Sequence, residues 1–376
     1  MIIHGDCLKK LKELSEKSIN MCMTSPPYWA LRDYGVEGQL GLEPTFEEYI
    51  NKLCDIFDEV KRVLRDDGTC WINIGDTYSS TRWTNDEDSG QPMNKFQDGH
   101  RGINPVKETG NIPDKCLVMI PFRFATEMVN RGWILRNTII WYKPQCMPSS
   151  VKDRFTVDFE YLFFFSKKKK YYFETQYEPI AKSSMKDKRR GKIEYEGKWS
   201  NMPQTISKRK SFAYIEEGGR NKRTVWTINP KPFSEAHFAV YPEELCETPI
   251  KAGCPEFVCV KCGNPKIKVY ERSKEIPILK ADSDRNNPQG LYKKIGGQYQ
   301  KELEKNPPKD LGYKPTCSCN VDFRGGIVLD PFFGAGTTGL VALKQNKKFV
   351  GIELNKEYIK IAEARIKPYL DQKKLN

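Results

Sequence analysis

The amino-acid sequence predicts an α/β fold with a parallel sheet, together with a basic region and a small Cys-rich insertion. An apolar run at residues 19–23 leads into a turn with two prolines. A long segment with helical spacing follows at residues 46–64, and a second apolar run follows it at residues 69–74. Near the other end of the chain, residues 325–338 have the pattern of a strand, a glycine-rich turn and a helix start. Alternating strands and helices of these lengths are typical of a parallel sheet with crossover helices.

The first apolar run ends in the hexapeptide Thr24-Ser25-Pro26-Pro27-Tyr28-Trp29. Two consecutive prolines fix two φ angles and remove two N–H donors, so they end a strand and leave rigid carbonyls exposed. A hydroxyl, a carbonyl and an aromatic face in one rigid turn suit a flat ring that carries an amino group. This indicates chemistry on the exocyclic amine of a nucleobase. Double prolines also occur in polyproline II segments and at ordinary strand ends, so the hexapeptide alone leaves a structural role open.

The remainder of the first half continues the alternation. Thr45 and Glu48 have the spacing of a capping box that starts the helix of residues 46–64, and Asp66-Asp67-Gly68 is expected to end it. Beyond the strand at residues 69–74 we predict a helix and two further strands, at residues 121–130, 134–142 and 159–165. We expect the last of these strands to pair with residues 171–173.

A polar stretch at residues 76–113 interrupts this pattern after a strand end. Stretches of this length are uncommon in compact domains unless they are functional or disordered. Because ligands usually bind where strands of an α/β sheet end, we interpret it as a DNA-facing loop or a lid.

The second half carries the pattern of a nucleotide site. Gly334 and Gly336 lie between an apolar strand at residues 327–329 and a helix expected to begin near Thr337. Glycines there let the backbone approach a ligand, and the helix start offers free N–H groups. The next strand, at residues 348–354, carries Glu353, 23 positions after Asp330. An acid at the tip of the second strand is placed to accept hydrogen bonds from a ribose diol.

Residues 24–29, residues 330–338 and Glu353 together resemble the DNA amino-methyltransferases. That family transfers a methyl group from S-adenosylmethionine to N4 of cytosine or N6 of adenine. The catalytic motif precedes the cofactor motif here, which resembles the beta class of the family. The resemblance implies a Rossmann-like, S-adenosylmethionine-dependent methyltransferase sheet with a circularly shuffled motif order.

The resemblance also implies the site residues. Ser25 and the carbonyl of Pro26 would accept the two N–H bonds of the target amine, with Pro27 keeping the turn rigid. Tyr28 would stack on the base, which must first leave the duplex. The methyl group would then pass directly in line from sulfur, without a covalent intermediate. The residues expected to bind S-adenosylmethionine are Asp6, Thr24, His237, Phe238, Asp330, Pro331, Phe332, Gly334, Gly336, Thr337, Thr338 and Glu353.

Ser25 also bears on the target base. Family members with Ser-Pro-Pro-Tyr mostly resemble cytosine-N4 enzymes, and those with Asp-Pro-Pro-Tyr mostly resemble adenine-N6 enzymes. We therefore expect methylation of N4 of cytosine, with an N6-adenine methyltransferase of the same fold as the alternative. A non-catalytic DNA-binding regulator and an RNA methyltransferase are more remote alternatives.

Charge is distributed unevenly along the chain. The net charge is +13, and residues 166–225 contain 17 Lys and Arg against 7 Asp and Glu. Basic side chains interleaved with Trp199, Phe212 and Tyr214 suit contacts to phosphates and bases. We interpret this stretch as the target-recognition region, which the resemblance also places here, and a solvated charged insertion is the alternative. The expected partner is double-stranded DNA.

Two cysteine pairs are the main departure from the family pattern. Cys259 and Cys262 form a Cys-x-x-Cys knuckle, and Cys317 and Cys319 form a second pair with a single spacer residue. Four thiolates at the base of an inserted segment resemble a structural zinc site, with Cys254 as a substitute ligand.

The expected organisation has five segments. A catalytic half at residues 1–165 precedes the basic region at 166–225, a cofactor-side segment at 226–256, the Cys-rich zinc insertion at 257–324 and the cofactor-binding half at 325–376. No apolar run reaches the ~18 residues of a membrane span, so we expect a cytoplasmic location. A monomer or homodimer is expected, and a cognate restriction endonuclease is a candidate functional partner.

Overall fold

The computed structural model describes residues 1–31, 33–79, 109–178, 220–231, 240–271 and 309–372. The chain divides into two compact units. The first consists of Met1–Glu174, Thr224–Val260 and Val321–Asn376, and the second of Thr175–Arg223 and Lys261–Asn320.

An eight-stranded sheet forms the centre of the first unit. Its strands are β1 (Ile2–His4), β2 (Ile19–Thr24), β3 (Leu64–Ile74), β4 (Ile134–Tyr142), β5 (Phe159–Ser166), β8 (Val225–Thr227), β13 (Ile327–Asp330) and β14 (Lys348–Glu353). Their order across the sheet is β1-β14-β13-β2-β3-β5-β4-β8. Strand β5 runs antiparallel to its neighbours β3 and β4, and the other neighbouring pairs are parallel. The predicted α/β fold is therefore confirmed, and the predicted parallel sheet is parallel except at β5.

Helices cover both faces of this sheet. They are α1 (Cys7–Glu13), α2 (Phe46–Val63), α3 (Ile120–Asn130), α4 (Glu243–Gly253), α5 (Thr337–Lys344) and α6 (Lys356–Gln372). Neighbouring strand residues alternate between two buried clusters, so Cys22 packs on one face with Phe57 and Phe124, while Met23 packs on the other with Leu245. Burial on both faces explains why these strands are continuous apolar runs.

The expected start of α2 agrees with the structure. The Thr45 hydroxyl accepts a hydrogen bond from the Glu48 N–H at 3.2 Å. The expected end of the helix does not, because α2 ends at Val63 and β3 begins at Leu64. Asp66-Asp67-Gly68 lies within β3, because this strand already starts at Leu64, which pairs with Ile19 of β2. The register between the two strands is irregular after that pair.

The pairing predicted for residues 171–173 is wrong. Strand β5 is hydrogen-bonded to β3 on one side and β4 on the other, so it has no free edge for another strand. Tyr171 and Phe173 instead pack their rings against Phe164, with centroids 5.7 Å away in both cases.

Shorter strand pairs complete the described structure. In the second unit, β6 (Tyr177–Glu178) pairs with β7 (Arg220–Asn221), and β10 (Lys266–Glu271) pairs with β11 (Lys309–Pro315). In the first, β9 (Val258–Cys259) pairs with β12 (Phe323–Arg324). Among the described residues, none of the helices combines the length and the apolar character that a membrane span requires.

Candidate active site

A cleft of about 800 Å³ opens at the carboxyl ends of the parallel strands. Ser25 and Tyr28 line it after β2, Asn73 lines it at the end of β3, and Gly334 and Glu353 line it from the second half of the chain. The parallel pairing of β2 with β13 aligns Met21 with Val328 and Cys22 with Leu329. The turns that follow these two strands therefore lie side by side. The predicted catalytic turn and the predicted cofactor turn therefore face one cavity.

Glu353 is tied to the backbone of the glycine-rich turn. Its Oε2 accepts from the Gly334 N–H at 2.7 Å, and its Oε1 accepts from the Asn355 N–H at 2.8 Å. Burial raises the pKa of Glu353 above its ordinary value. A carboxylate offers about four lone-pair sites, so both oxygens keep acceptor capacity toward the cleft.

The two glycines of this turn differ in their surroundings. Gly336 has a φ of +81°, and a Cβ added there would lie 2.9 Å from the Cβ of Ala362. Gly334 has a φ of +50°, and an added Cβ would meet nothing within 4 Å. Gly336 is thus required by packing under the turn, while the backbone at Gly334 borders open space.

Several residues predicted to bind the cofactor lie behind the cleft lining. Asp330 is 1% exposed and accepts hydrogen bonds from the Thr24 hydroxyl at 2.6 Å and the Tyr241 hydroxyl at 3.1 Å. Burial raises its pKa. Thr338 donates to the carbonyl of Met23 at 3.3 Å. These contacts join the end of β2 to the end of β13 and hold the two turns in register.

Other predicted cofactor residues line the cleft itself. They are Asp6, Pro331, Phe332 and Thr337. Asp6 also caps α1, since its Oδ1 accepts from the Lys9 N–H at 2.9 Å. His237 and Phe238 lie outside the described residues, as do residues 80–108 of the predicted loop and residues 179–219 of the predicted recognition region.

The catalytic turn is anchored on one side by the core. The Pro27 carbonyl accepts a hydrogen bond from Tyr49 at 2.8 Å, and the Trp29 indole N–H donates to the Glu43 carbonyl at 2.8 Å. Trp29 is 2% exposed. In the part of the chain that the structure describes, no hydrogen bond to the Pro26 carbonyl is recorded, so that acceptor is available where Pro26 lines the cleft.

A polar network on the other side of the turn was not predicted from the sequence. Asn73 donates from Nδ2 to Glu160 Oε2 at 3.0 Å and to the Tyr161 carbonyl at 3.1 Å. Its Oδ1 therefore faces the hydroxyls of Ser25 and Tyr28, which both lie 3.3 Å away, and it accepts from Ser25 because the Tyr28 proton is donated to Glu160. Tyr28 donates to Glu160 Oε2 at 2.6 Å, and Lys143 forms an ion pair with the other oxygen. Polar residues at the end of β3 and the start of β5 were the available signal, because both lie at the carboxyl edge of the parallel strands.

The electrostatics fix the direction of one of these bonds. Burial, and then the charge of Glu160, raise the pKa of Tyr28 well above its usual range, so Tyr28 remains a neutral donor. The ring is also closely packed: a Cβ added to Gly75 would lie 2.6 Å from the Tyr28 ring. Tyr28 is thereby held at its hydroxyl and along its edge.

The four cysteines of the predicted metal site come together. The sulfur atoms of Cys259, Cys262, Cys317 and Cys319 all lie within 4.8 Å of one another. Cys254 is buried next to Gly326, where a Cβ added to the glycine would lie 2.7 Å from its sulfur. Cys254 is outside the cluster, so the substitute role suggested for it is not supported.

Comparison with known proteins agrees with this geometry. The N6_N4_Mtase family model, described as a DNA methylase, matches residues 19–260 and 316–364. The Type II methyltransferase M.Cfr9I of Citrobacter freundii is 34% identical over 366 residues, which cover 97% of this chain and 87% of the relative. The Type II methyltransferase M.SmaI of Serratia marcescens is 33% identical over 369 residues, with coverage of 97% and 90%.

A solved structure shares the fold. PvuII DNA methyltransferase (cytosine-N4-specific) superimposes with a TM-score of 0.52 at 16% identity, covering 98% of this chain and 89% of that one. The match of the family model over most of the chain, together with relatives above 30% identity along nearly its whole length, confirms the resemblance found in the sequence motifs. The chain belongs to the N6/N4 family of DNA methylases.

Proposed function

We propose that this protein transfers a methyl group from S-adenosylmethionine to N4 of cytosine in duplex DNA, after the base has left the helix. The observation that carries the proposal is the hydrogen-bond network running from Glu160 through Asn73 to Ser25. The network leaves the Ser25 hydroxyl oxygen with lone pairs that can accept hydrogen bonds from a substrate in the cleft, as the reaction requires.

Asn73 has two acceptors next to its Nδ2, so its Oδ1 is directed at Ser25. The single hydroxyl proton of Ser25 is then engaged with Asn73, which leaves its lone pairs for a substrate N–H. The Pro26 carbonyl offers a second acceptor in the same turn. Together they would accept both N–H bonds of an exocyclic amine and release its lone pair from the aromatic ring.

The cofactor half has the donors and acceptors that S-adenosylmethionine requires. Glu353 would accept from the ribose hydroxyls, and Phe332 and Asp6 would border the adenine. The open backbone at Gly334 allows close approach of the cofactor. When bound, S-adenosylmethionine supplies an electrophilic methyl group on its sulfur. Thr24 and Asp330 would act as positioning residues, because they hold the two turns together from behind.

The choice of base rests on Ser25. The Ser-Pro-Pro-Tyr form of the turn favours cytosine N4. Adenine N6 is the second candidate, because its exocyclic amine also carries two N–H bonds that the Ser25 hydroxyl and the Pro26 carbonyl could accept. A binding-only role is disfavoured because the acceptors and their supporting network are all in place. The curated relatives named above are Type II methyltransferases, so we also propose a role in a restriction–modification system, with a cognate endonuclease as functional partner.

The test is to identify the modified nucleoside. Mixed-sequence duplex DNA is incubated with the purified protein and S-adenosylmethionine, digested to nucleosides and measured by mass spectrometry, with Ser25→Ala as the matched control. N4-methylcytosine formed by the wild type and strongly reduced in the variant supports the proposal. N6-methyladenine would overturn the choice of base, and no modified base would overturn the catalytic role.

We also propose that the cysteine cluster binds a structural zinc ion. Tetrahedral zinc with Zn–S bonds of ~2.3 Å places its sulfurs about 3.8 Å apart. The four sulfur atoms here lie within 4.8 Å of one another, so a small tightening suffices. The ion would tie together the ends of the inserted segment and take no part in methyl transfer.

A further inference from the structure

The connection between β4 and β5, residues 143–158, exposes large apolar side chains. Phe155 is 96% exposed and Met147 is 89% exposed. Both ends of this connection lie at the active-site cleft, because Lys143 and Glu160 are part of the cleft lining. A phenyl ring this exposed, on a connection whose ends lie at the cleft of a DNA methylase, is a candidate contact for a partner.

The connection is held in place around this ring. At its base the Lys143 N–H donates to the Asp158 carbonyl at 2.7 Å. Further out, the guanidinium of Arg154 lies 3.5 Å from the centroid of the Tyr78 ring. Lys115 pairs with Asp153 at 2.8 Å. The residue directly before Phe155 is thus anchored to the segment that follows β3, while Phe155 itself projects into solvent.

The surroundings of Phe155 are suited to nucleic acid. Lys152 and Arg154 lie close before it in the sequence, and Lys115 pairs with Asp153, so these four side chains together carry a net positive charge. Phosphates supply the opposite charge. Apolar wedges that proteins insert between base steps are commonly Phe, Leu, Ile, Met or Pro side chains. A protein partner would also bury a phenyl ring, but continuity with the substrate cleft and the net positive charge favour DNA.

We propose that Phe155 enters the duplex at the position vacated by the target base and stacks on the remaining bases. The inference rests on the proposed function, because a vacancy arises only if the base leaves the helix. Extrusion costs a few kcal/mol in lost stacking and pairing. An aromatic side chain in the gap restores stacking, which makes the extruded state more populated. Phe155 then acts on the DNA, not on the reacting atoms.

The experiment compares Phe155→Ala with wild type on two duplexes. The recognition site is first located by mapping the methylated positions in DNA treated with wild-type protein. One duplex carries this site fully paired, and the other carries the target base opposite an abasic position, so that it is already unpaired. Single-turnover methylation rates at saturating S-adenosylmethionine are measured on both. Leu370→Ala, an exposed apolar residue on α6, is the control variant.

On the paired duplex, Phe155→Ala is expected to reduce the rate by about 10-fold to 100-fold, which is the scale of one lost base–aromatic stack. On the unpaired duplex the loss should shrink to a few-fold, because extrusion of the target base then costs less. Leu370→Ala should behave as wild type on both. Equal losses of Phe155→Ala on both duplexes, or no loss on either, would overturn the proposal. If mapping finds no methylated position in DNA treated with the wild type, the proposed function itself fails.

Discussion

Replacing Glu160 with glutamine tests whether the network behind the catalytic turn sets the acceptor state of Ser25. Glu160 accepts from Tyr28 at 2.6 Å and from Asn73 at 3.0 Å. Hydrogen bonds to charged groups contribute about 1.5–3 kcal/mol, against about 0.5–1.5 kcal/mol between neutral groups. Glu160→Gln keeps the shape and removes the charge, so each bond weakens by about 1 kcal/mol.

The two weakened bonds give about 2 kcal/mol, which corresponds to a fall in kcat of at least roughly 30-fold if the whole loss is felt in the transition state, since the ion pair with Lys143 is lost as well. The affinity for S-adenosylmethionine should change little, because β5 is three strands from β13, or about 14 Å across the sheet. The assay is steady-state methylation of DNA, with cofactor binding measured separately by calorimetry. Glu357→Gln is the matched control, because Glu357 is 71% exposed and pairs with Lys360 in an i,i+3 surface contact.

A double variant separates positioning from a general loss of packing. If Glu160 acts partly on Ser25 through Asn73, adding Glu160→Gln to Ser25→Ala should lower kcat by less than Glu160→Gln does in the wild type, because only the Tyr28 contact is then left to weaken. Additive losses would refute the relay through Asn73. An unchanged kcat, or a loss confined to cofactor affinity, would refute the role of Glu160 altogether.

Four further predictions concern single groups. Ser25→Ala should lower kcat by about 100-fold with cofactor affinity unchanged in calorimetry, since one preorganised contact is lost; an equally active variant would contradict the assigned role. Glu353→Gln should weaken cofactor binding about 10-fold, because an amide NH₂ would face the Gly334 N–H donor; unaltered binding would remove Glu353 from the site. Elemental analysis should find about one zinc per chain and none in Cys262→Ser, and a metal-free wild type would reject the cluster as a zinc site. Because burial raises the folded pKa of Glu353, its contribution to stability is present below an unfolded pKa of about 4.3 and is lost as pH rises through the folded value. Denaturant unfolding should show the free energy of unfolding of wild type falling relative to Glu353→Gln as the pH rises from the unfolded to the folded pKa. An increase in the relative stability of wild type over this pH range would contradict the prediction.

Much of the fold could be predicted because the local signals agree with the tertiary structure. Strand β4 has the predicted bounds, and the helix after Gly336 begins at Thr337 as expected. The predicted partner of β5 was wrong because apolar content alone does not reveal which strands are neighbours. Its edges are occupied by β3 and β4, which lie before it in sequence but on opposite sides of it.

The site shows the same division. Ser25 and Glu353 were predicted from continuous motifs, in which spacing carries the information, and both line the cleft, while their roles stay predictions. Asn73 and Glu160 could not be predicted, since each is a single polar residue whose role depends on a neighbour 87 positions away. Asp330 and Thr24 are in recognisable motifs, yet their burial shows that they position the turns from behind the cleft lining.

The pairing of β13 with β2 has a consequence for synthesis of the chain. Strand β13 fills the gap between β2 and β14, although more than 300 residues separate the partners Met21 and Val328. Until the ribosome has delivered residues 327–330, β2 is an open, apolar strand edge on the nascent chain. Such edges template pairing with other chains, and contacts of this sequence separation close late in folding. An interior strand of the sheet is therefore among its last to arrive, which makes translation of residues 327–330 the step that protects the nascent protein from aggregation.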